Sequence, residues 1–158
     1  MILGSESGMT ERGFSLLELL VVVSLIAILS GLALPAFREH RRHANVAATA
    51  QDLRNFADAF FAYLTDHEDF PIDVPLGVIP PGMEELLAGS AFTGRTRLGG
   101  YYNWEGPNHY PYAGIAIEGP TASAEDFQML ARMLDDGSLS SGRFRITPNG
   151  RYTFIIDE

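Results

Sequence analysis

The sequence predicts an α+β fold: a long N-terminal helix, apolar in its first half and amphipathic in its second, packed on a small C-terminal antiparallel β-sheet. Three observations carry that expectation. Leu19 to Phe37 is an unbroken run without a charged residue. From Val46 to Leu64 apolar residues recur at helical spacing. The chain then closes on two short β-prone segments joined by Pro148-Asn149-Gly150, a strong hairpin signal.

The apolar run comes first. Its 19 residues, at ~1.5 Å of rise each, approach the ~30 Å hydrocarbon core of a bilayer and exceed the apolar core of an ordinary secretory signal. Pro35 sits near its end, where a missing N–H and a clash with the preceding turn are expected to kink the helix or melt it locally. Arg38, Arg41 and Arg42, with His40 and His43, follow directly. The amphipathic half carries Val46, Ala50, Leu53, Ala57, Phe60 and Leu64 at steps of four and three, with Asp52, Asp58 and Asp66 off that stripe. Phe56, Phe60, Phe61 and Tyr63 need cover, which the C-terminal sheet is expected to supply. Asp69-Phe70-Pro71 is the expected helix end.

Pro71, Pro75, Gly77, Pro80, Pro81 and Gly82 then mark a loop, with a helical turn expected at Met83 to Leu87. Gly100 to Trp104 and Tyr112 to Ile117 are the next strand candidates. Ser123 and Asp126 have capping-box spacing for a helix whose Phe127, Leu130, Ala131 and Leu134 form one face, with Gly137 as its stop. Phe144 to Thr147 and Tyr152 to Ile156 form the closing hairpin.

The most informative stretch is Gly13-Phe14-Ser15-Leu16-Leu17-Glu18-Leu19, because it places one carboxylate at the head of the apolar run. A charge near the bilayer core costs about 2.5–3.5 kcal/mol on insertion scales, so Glu18 is expected to have a partner. Gly13 followed by Phe14, Glu18 four residues on, and the apolar run behind them resemble the N-terminus of type IV prepilins and type II secretion pseudopilins.

The resemblance implies a pilin-like fold, cleavage between Gly13 and Phe14 by a membrane prepilin peptidase, and methylation of the new N-terminal Phe14. It implies a leader over 1–13, a membrane and assembly helix over 14–37, its amphipathic continuation over 38–68, and a small α+β head over 69–158. Met9 is an alternative start that would leave the compact leader Met9-Thr10-Glu11-Arg12-Gly13. Further implications are an N-terminus in the cytoplasm, a single inner-membrane pass, a periplasmic head, and homo- or heteromeric partners among other pilin subunits. An inner-membrane assembly platform and its ATPase complete the set of partners. The arginine cluster after the run opposes this orientation on the positive-inside rule, and the prepilin-type motif decides for it. A plain signal anchor is the other reading of the segment.

Composition narrows function further. The chain has 11 arginines and no lysine against 20 acidic residues, a net charge of −9. An acidic head repels phosphate and disfavours nucleic acid. With no cysteine there is neither a disulfide nor thiolate chemistry. No Gly-x-Ser-x-Gly elbow is present, and His67 and His109 lie in polar segments, so the chain reads as a non-enzyme. His40 and His43 lack further metal ligands nearby. Asp135, Asp136 and Ser138 have the chemistry for calcium, but their spacing is not that of an EF-hand, and a solvated helix end is the competing reading. Tyr101, Tyr102, Trp104, Tyr110 and Tyr112 form either a recognition surface or the cover of a small core. Two functions follow from the resemblance: a structural pseudopilin subunit of a secretion or pilus-like filament, or a minor tip pilin or membrane-anchored binding module for a secreted protein, polysaccharide or surface.

Overall fold

A computed structural model describes residues 14–158. Gly13, the leader and Met9 lie outside the described residues. The chain divides into two compact units, one ending at His40 and one running over Arg41–Glu158. Helix α1 covers Leu16–His67 and is followed by β1 (Tyr101–Glu105), β2 (Ala113–Glu118), α2 (Ala124–Leu134), β3 (Phe144–Ile146) and β4 (Tyr152–Asp157). The helix continues through Pro35, so the lost hydrogen bond does not melt it.

Within the second unit, α1 turns Val46, Thr49, Ala50, Leu53, Phe56, Ala57 and Phe60 inward. These include all of the expected stripe except Leu64, which is half-buried. The helix stops at His67, because Glu68 takes a positive φ of 62° while its N–H still bonds Leu64 O at 2.8 Å. The expected stop at Asp69 is thus a residue or two late, and the left-handed cap is a glutamate where glycine is usual.

The sheet is antiparallel throughout, in the order β1-β2-β4-β3. Strand alternation gives β1 two faces. Tyr102 and Trp104 point to α1: Trp104 stacks on Phe60 with centroids 3.7 Å apart, and Tyr102 meets Phe56 edge-on at 4.9 Å. The Trp104 indole N–H donates to Pro71 O at 3.0 Å, which satisfies the one polar atom of the largest buried side chain. Burial, then the Asp52 carboxylate beside it, pushes the Tyr102 phenol above its ordinary range; its hydroxyl donates to Asp52 Oδ2 at 3.1 Å. Gly114 permits the β2–β4 approach, since a Cβ there would meet Thr153 Cγ2 at 2.8 Å.

The segment between α1 and β1 carries no helix, but residues 83–87 make the expected single helical turn, closed by a Leu87 N–H to Met83 O bond of 2.9 Å. It is nonetheless core: Phe70, Val74, Met83, Leu87, Phe92 and Leu98 are all buried. Helix α2 begins with the expected capping box of Ser123 and Asp126 and stacks Phe127 on Tyr152 at 3.8 Å. It ends at an Asp135 cap, two residues before Gly137. The closing hairpin does not use Asn-Gly as a two-residue turn. Gly150 N–H bonds Thr147 O at 2.8 Å, so Pro148 and Asn149 are the central pair and Gly150 alone takes positive φ, 82°. Proline at the first central position fixes the φ that a type I or II turn needs.

On the sheet face away from α1, Glu105 is fully buried. Its two oxygens accept four hydrogen bonds: from Asn149 Nδ2 at 2.7 Å and an Arg151 amine at 3.0 Å, and from the Tyr112 hydroxyl at 2.9 Å and Thr153 Oγ1 at 3.1 Å. All its acceptor sites are used, which makes a buried carboxylate tolerable. Burial, with the Glu105 charge adding to it, pushes the Tyr112 phenol up to about 12. Burial alone would lower the Arg151 pKa; the Glu105 hydrogen bond and the Glu118 charge outweigh it and raise it. Arg151 also pairs with Glu118 at 2.9 Å.

Candidate functional site

The residues singled out at the N-terminus form a built helix start. Ser15 Oγ accepts from the Glu18 backbone N–H at 3.2 Å, and Glu18 Oε2 accepts from the Ser15 backbone N–H at 2.9 Å. This reciprocal pair is a capping box, with the cap three residues ahead of its carboxylate. Sequence reasoning did not name Ser15 as a partner of Glu18; the Ser-x-x-Glu pattern just ahead of an apolar run was the available signal for it. A helix N-terminus has orphan N–H groups that hydrocarbon cannot satisfy, so such a cap suits a helix that begins in an apolar phase. The carboxylate also lies in the first turn, where the helix dipole favours negative charge.

Behind the cap, the Ser24 hydroxyl is satisfied within the helix, donating to Leu20 O at 2.7 Å. The apolar side chains are not covered. Phe14 is 77% exposed and the large apolar residues from Leu16 to Phe37 are all exposed. This part of α1 is long and apolar enough to cross a membrane and is not buried by the rest of the chain. Chemically, the segment offers one capped carboxylate at the start of an exposed apolar surface of the kind that lipid or other proteins cover.

The remaining sequence candidates separate. In the second unit, Arg42 is held by its own chain, pairing with Asp126 and with Glu125 at 3.1 Å. Burial would raise the Asp126 pKa; hydrogen bonds from Arg42 and Ser123 outweigh that and hold it below the usual carboxylate range. A solvated turn is therefore not the whole account of the arginine cluster. Asp135 accepts from the Arg143 backbone N–H, and Asp136 accepts from the Ser138 N–H at 2.7 Å and the Ser141 hydroxyl at 3.0 Å. These oxygens cap their own loop. Among the described residues, no three His, Asp or Glu side chains are grouped to hold a metal ion. The aromatic cluster divides by sheet face: Tyr102 and Trp104 are core, while Tyr101 is 44% exposed and Tyr110 half-buried.

A family model described as the prokaryotic N-terminal methylation motif matches residues 8–34. The chain carries a prepilin-type methylation motif. Gly13, Phe14 and Glu18 all fall inside it. Among curated proteins, the chain is 30% identical over 74 residues to a type IV major pilin protein of Neisseria gonorrhoeae, covering 47% of this chain and 35% of that protein. It is 30% identical over 61 residues to a fimbrial protein of Neisseria meningitidis, covering 39% and 36%. It is 29% identical over 66 residues to the type II secretion system core protein G of Pectobacterium carotovorum, covering 42% of each. The aligned stretch thus spans well under half the length of these relatives. No solved structure matches the chain.

Proposed function

We propose that this chain is a non-enzymatic filament subunit of the pilin and pseudopilin type, cleaved between Gly13 and Phe14 by a prepilin peptidase and methylated on Phe14. The observation that carries the reading is the methylation motif over 8–34 fused to an apolar helix that its own chain leaves uncovered. Cleavage leaves a short Phe14-Ser15 lead into the capped helix. In this reading the helix spans the inner membrane with its N-terminus in the cytoplasm and its head in the periplasm, then moves into the filament through an assembly platform driven by an ATPase. There the apolar surfaces of neighbouring subunits cover one another. Within the filament family, a pseudopilin of a secretion system is the favoured member, given the small head and the absence of cysteine.

Glu18 sets the register. Its carboxylate caps its own helix first, and in the filament it faces the methylated amine of Phe14 on an incoming neighbour. Such pairing offsets the desolvation of both charges, so it selects position more than it adds stability. Pro35 is proposed to bend the apolar half without breaking it. The test is intact-mass and N-terminal peptide mass spectrometry on membranes of cells producing the chain. A mature chain starting at Phe14 and heavier by one methyl group is expected. A chain that keeps residues before Phe14, or starts beyond Pro35, overturns the reading.

A further inference from the structure

The turn between β3 and β4 carries a reactive dipeptide beside a buried charge. Of the five asparagines in the chain, Asn149 alone precedes glycine. Such a pair is especially prone to lose its side-chain amide, because glycine has no side chain to shield its own backbone nitrogen. The reaction needs no enzyme. The Gly150 nitrogen attacks Asn149 Cγ, a new N–Cγ bond replaces the Cγ–Nδ2 bond, and the amide leaves as ammonia with the proton that Gly150 gives up. Water then opens the cyclic imide at one carbonyl to give aspartate or at the other to give isoaspartate. Asn149 is exposed, so water reaches it.

The fold holds the atoms that this reaction must move. Asn149 Nδ2 donates to Glu105 Oε1 at 2.7 Å, and Oδ1 accepts from the Arg151 N–H at 3.0 Å and from the Thr147 hydroxyl at 2.7 Å. The Gly150 N–H is committed to Thr147 O at 2.8 Å. Swinging Cγ onto the Gly150 nitrogen breaks the side-chain bonds, and the departing amide faces a carboxylate with no proton to give. Unfolding removes all of these restraints together. The product then fits poorly. Aspartate at this position sets a second carboxylate where Nδ2 now donates to the fully buried Glu105, and like charges at that distance disfavour one another. Arg151 is already shared between Glu105 at 3.0 Å and Glu118 at 2.9 Å. Isoaspartate in addition lengthens the backbone of a turn closed by the Gly150–Thr147 bond.

We propose that Asn149 is a deamidation site gated by folding: closed while Glu105 holds its amide, open once the head unfolds, and converted there to a carboxylate that Glu105 excludes from the folded head. Unfolding thereby becomes a one-way step for a chain left open long enough, since modification competes with refolding. The site lies in the head and does not depend on the filament reading. The full chain is kept in a polyoxyethylene detergent at neutral pH and one temperature, native or in urea, and the tryptic peptide 146–151 is followed by mass spectrometry. Conversion in urea is expected at the rate of the synthetic peptide of that sequence, and at least tenfold slower in the native chain. Comparable rates in the two states overturn the gate. Exclusion is read on Asn149→Asp, which is expected to lower the thermal midpoint or abolish folding in the wild-type background and to do neither in a Glu105→Gln background. An equal drop in both backgrounds, or none in either, overturns it. If Glu105→Gln does not fold, wild-type chain partly converted in urea is diluted to refold and treated with protease. The resistant fraction is expected to hold at least tenfold less converted peptide than the digested fraction, and an even distribution overturns the proposal.

Discussion

Residues 14–40 and Arg41–Glu158 solve the problem of apolar surface in opposite ways. In the first unit the large apolar side chains all face outward, and the structural investment is confined to a capping box at one end and a self-satisfied serine within. In the second unit a comparable set of apolar side chains is withdrawn: Leu53, Phe60, Met83, Trp104, Ile115, Ile117, Phe127 and Phe144 have essentially no exposure. The same α-helix thus exposes its apolar residues in one half and buries them in the other. Its first half is built to be covered by something else, and its second half is covered by a sheet, a second helix and a turn-rich loop of its own chain. Substitutions should therefore split cleanly into those that alter assembly with an intact head and those that melt the head.

The largest effect is expected at Gly13. Gly13→Val should leave only precursor, read as an unshifted mass of the membrane-bound chain, while head stability stays unchanged. Next is Glu18, where the two roles of the carboxylate separate. Glu18→Ala removes both cap and charge, whereas Glu18→Gln keeps a cap acceptor and removes only the charge. Both are expected to be processed and inserted, and both to reduce filament incorporation severalfold, measured by shearing and immunoblotting. Normal incorporation of Glu18→Gln would mean that the cap, and not the charge, is what assembly needs.

The head is probed by Trp104→Ala, which removes the Phe60 stack and the Pro71 hydrogen bond. A loss of about 3–5 kcal/mol is expected from the cavity, seen as a collapsed denaturation midpoint with processing at Gly13 untouched. Arg151→Ala leaves the buried Glu105 carboxylate without its cation and should cost about 3 kcal/mol, at the low end for a broken buried pair because Tyr112, Thr153 and Asn149 still donate to it. The smallest effect concerns Asp126. Its folded pKa is depressed, so its contribution is complete above the ordinary carboxylate pKa of about 3.9 and is lost as pH falls through the folded value. Unfolding curves from pH 7 to pH 2 should show a steeper acid loss in the wild type than in Arg42→Leu. Equal acid sensitivity would remove Arg42 from that account.

Much of this molecule is legible in local pattern. Helical spacing marks the inward stripe of α1, Ser123 and Asp126 mark the start of α2, and β-prone runs locate all four strands to within a residue or two. These features are set by contacts a few residues apart, so the sequence displays them directly. The methylation motif is legible for the same reason, since it is a short linear segment.

The periodic and the punctuated are therefore written into the chain itself: the apolar run, the amphipathic stripe, the caps, and the motif around Gly13, Phe14 and Glu18. Which of five clustered aromatics are core and which face outward depends on folding, because strand register assigns each side chain to one face or the other. Folding also recruits a proline- and glycine-punctuated loop into the core, and it ties Arg42 to a carboxylate 84 residues away. Glu105 collects its donors from positions 7 to 48 residues distant. Such long-range pairings leave no mark in local spacing. They exist because burying a charge or an amide demands partners, and the path of the folded chain determines which partners are near.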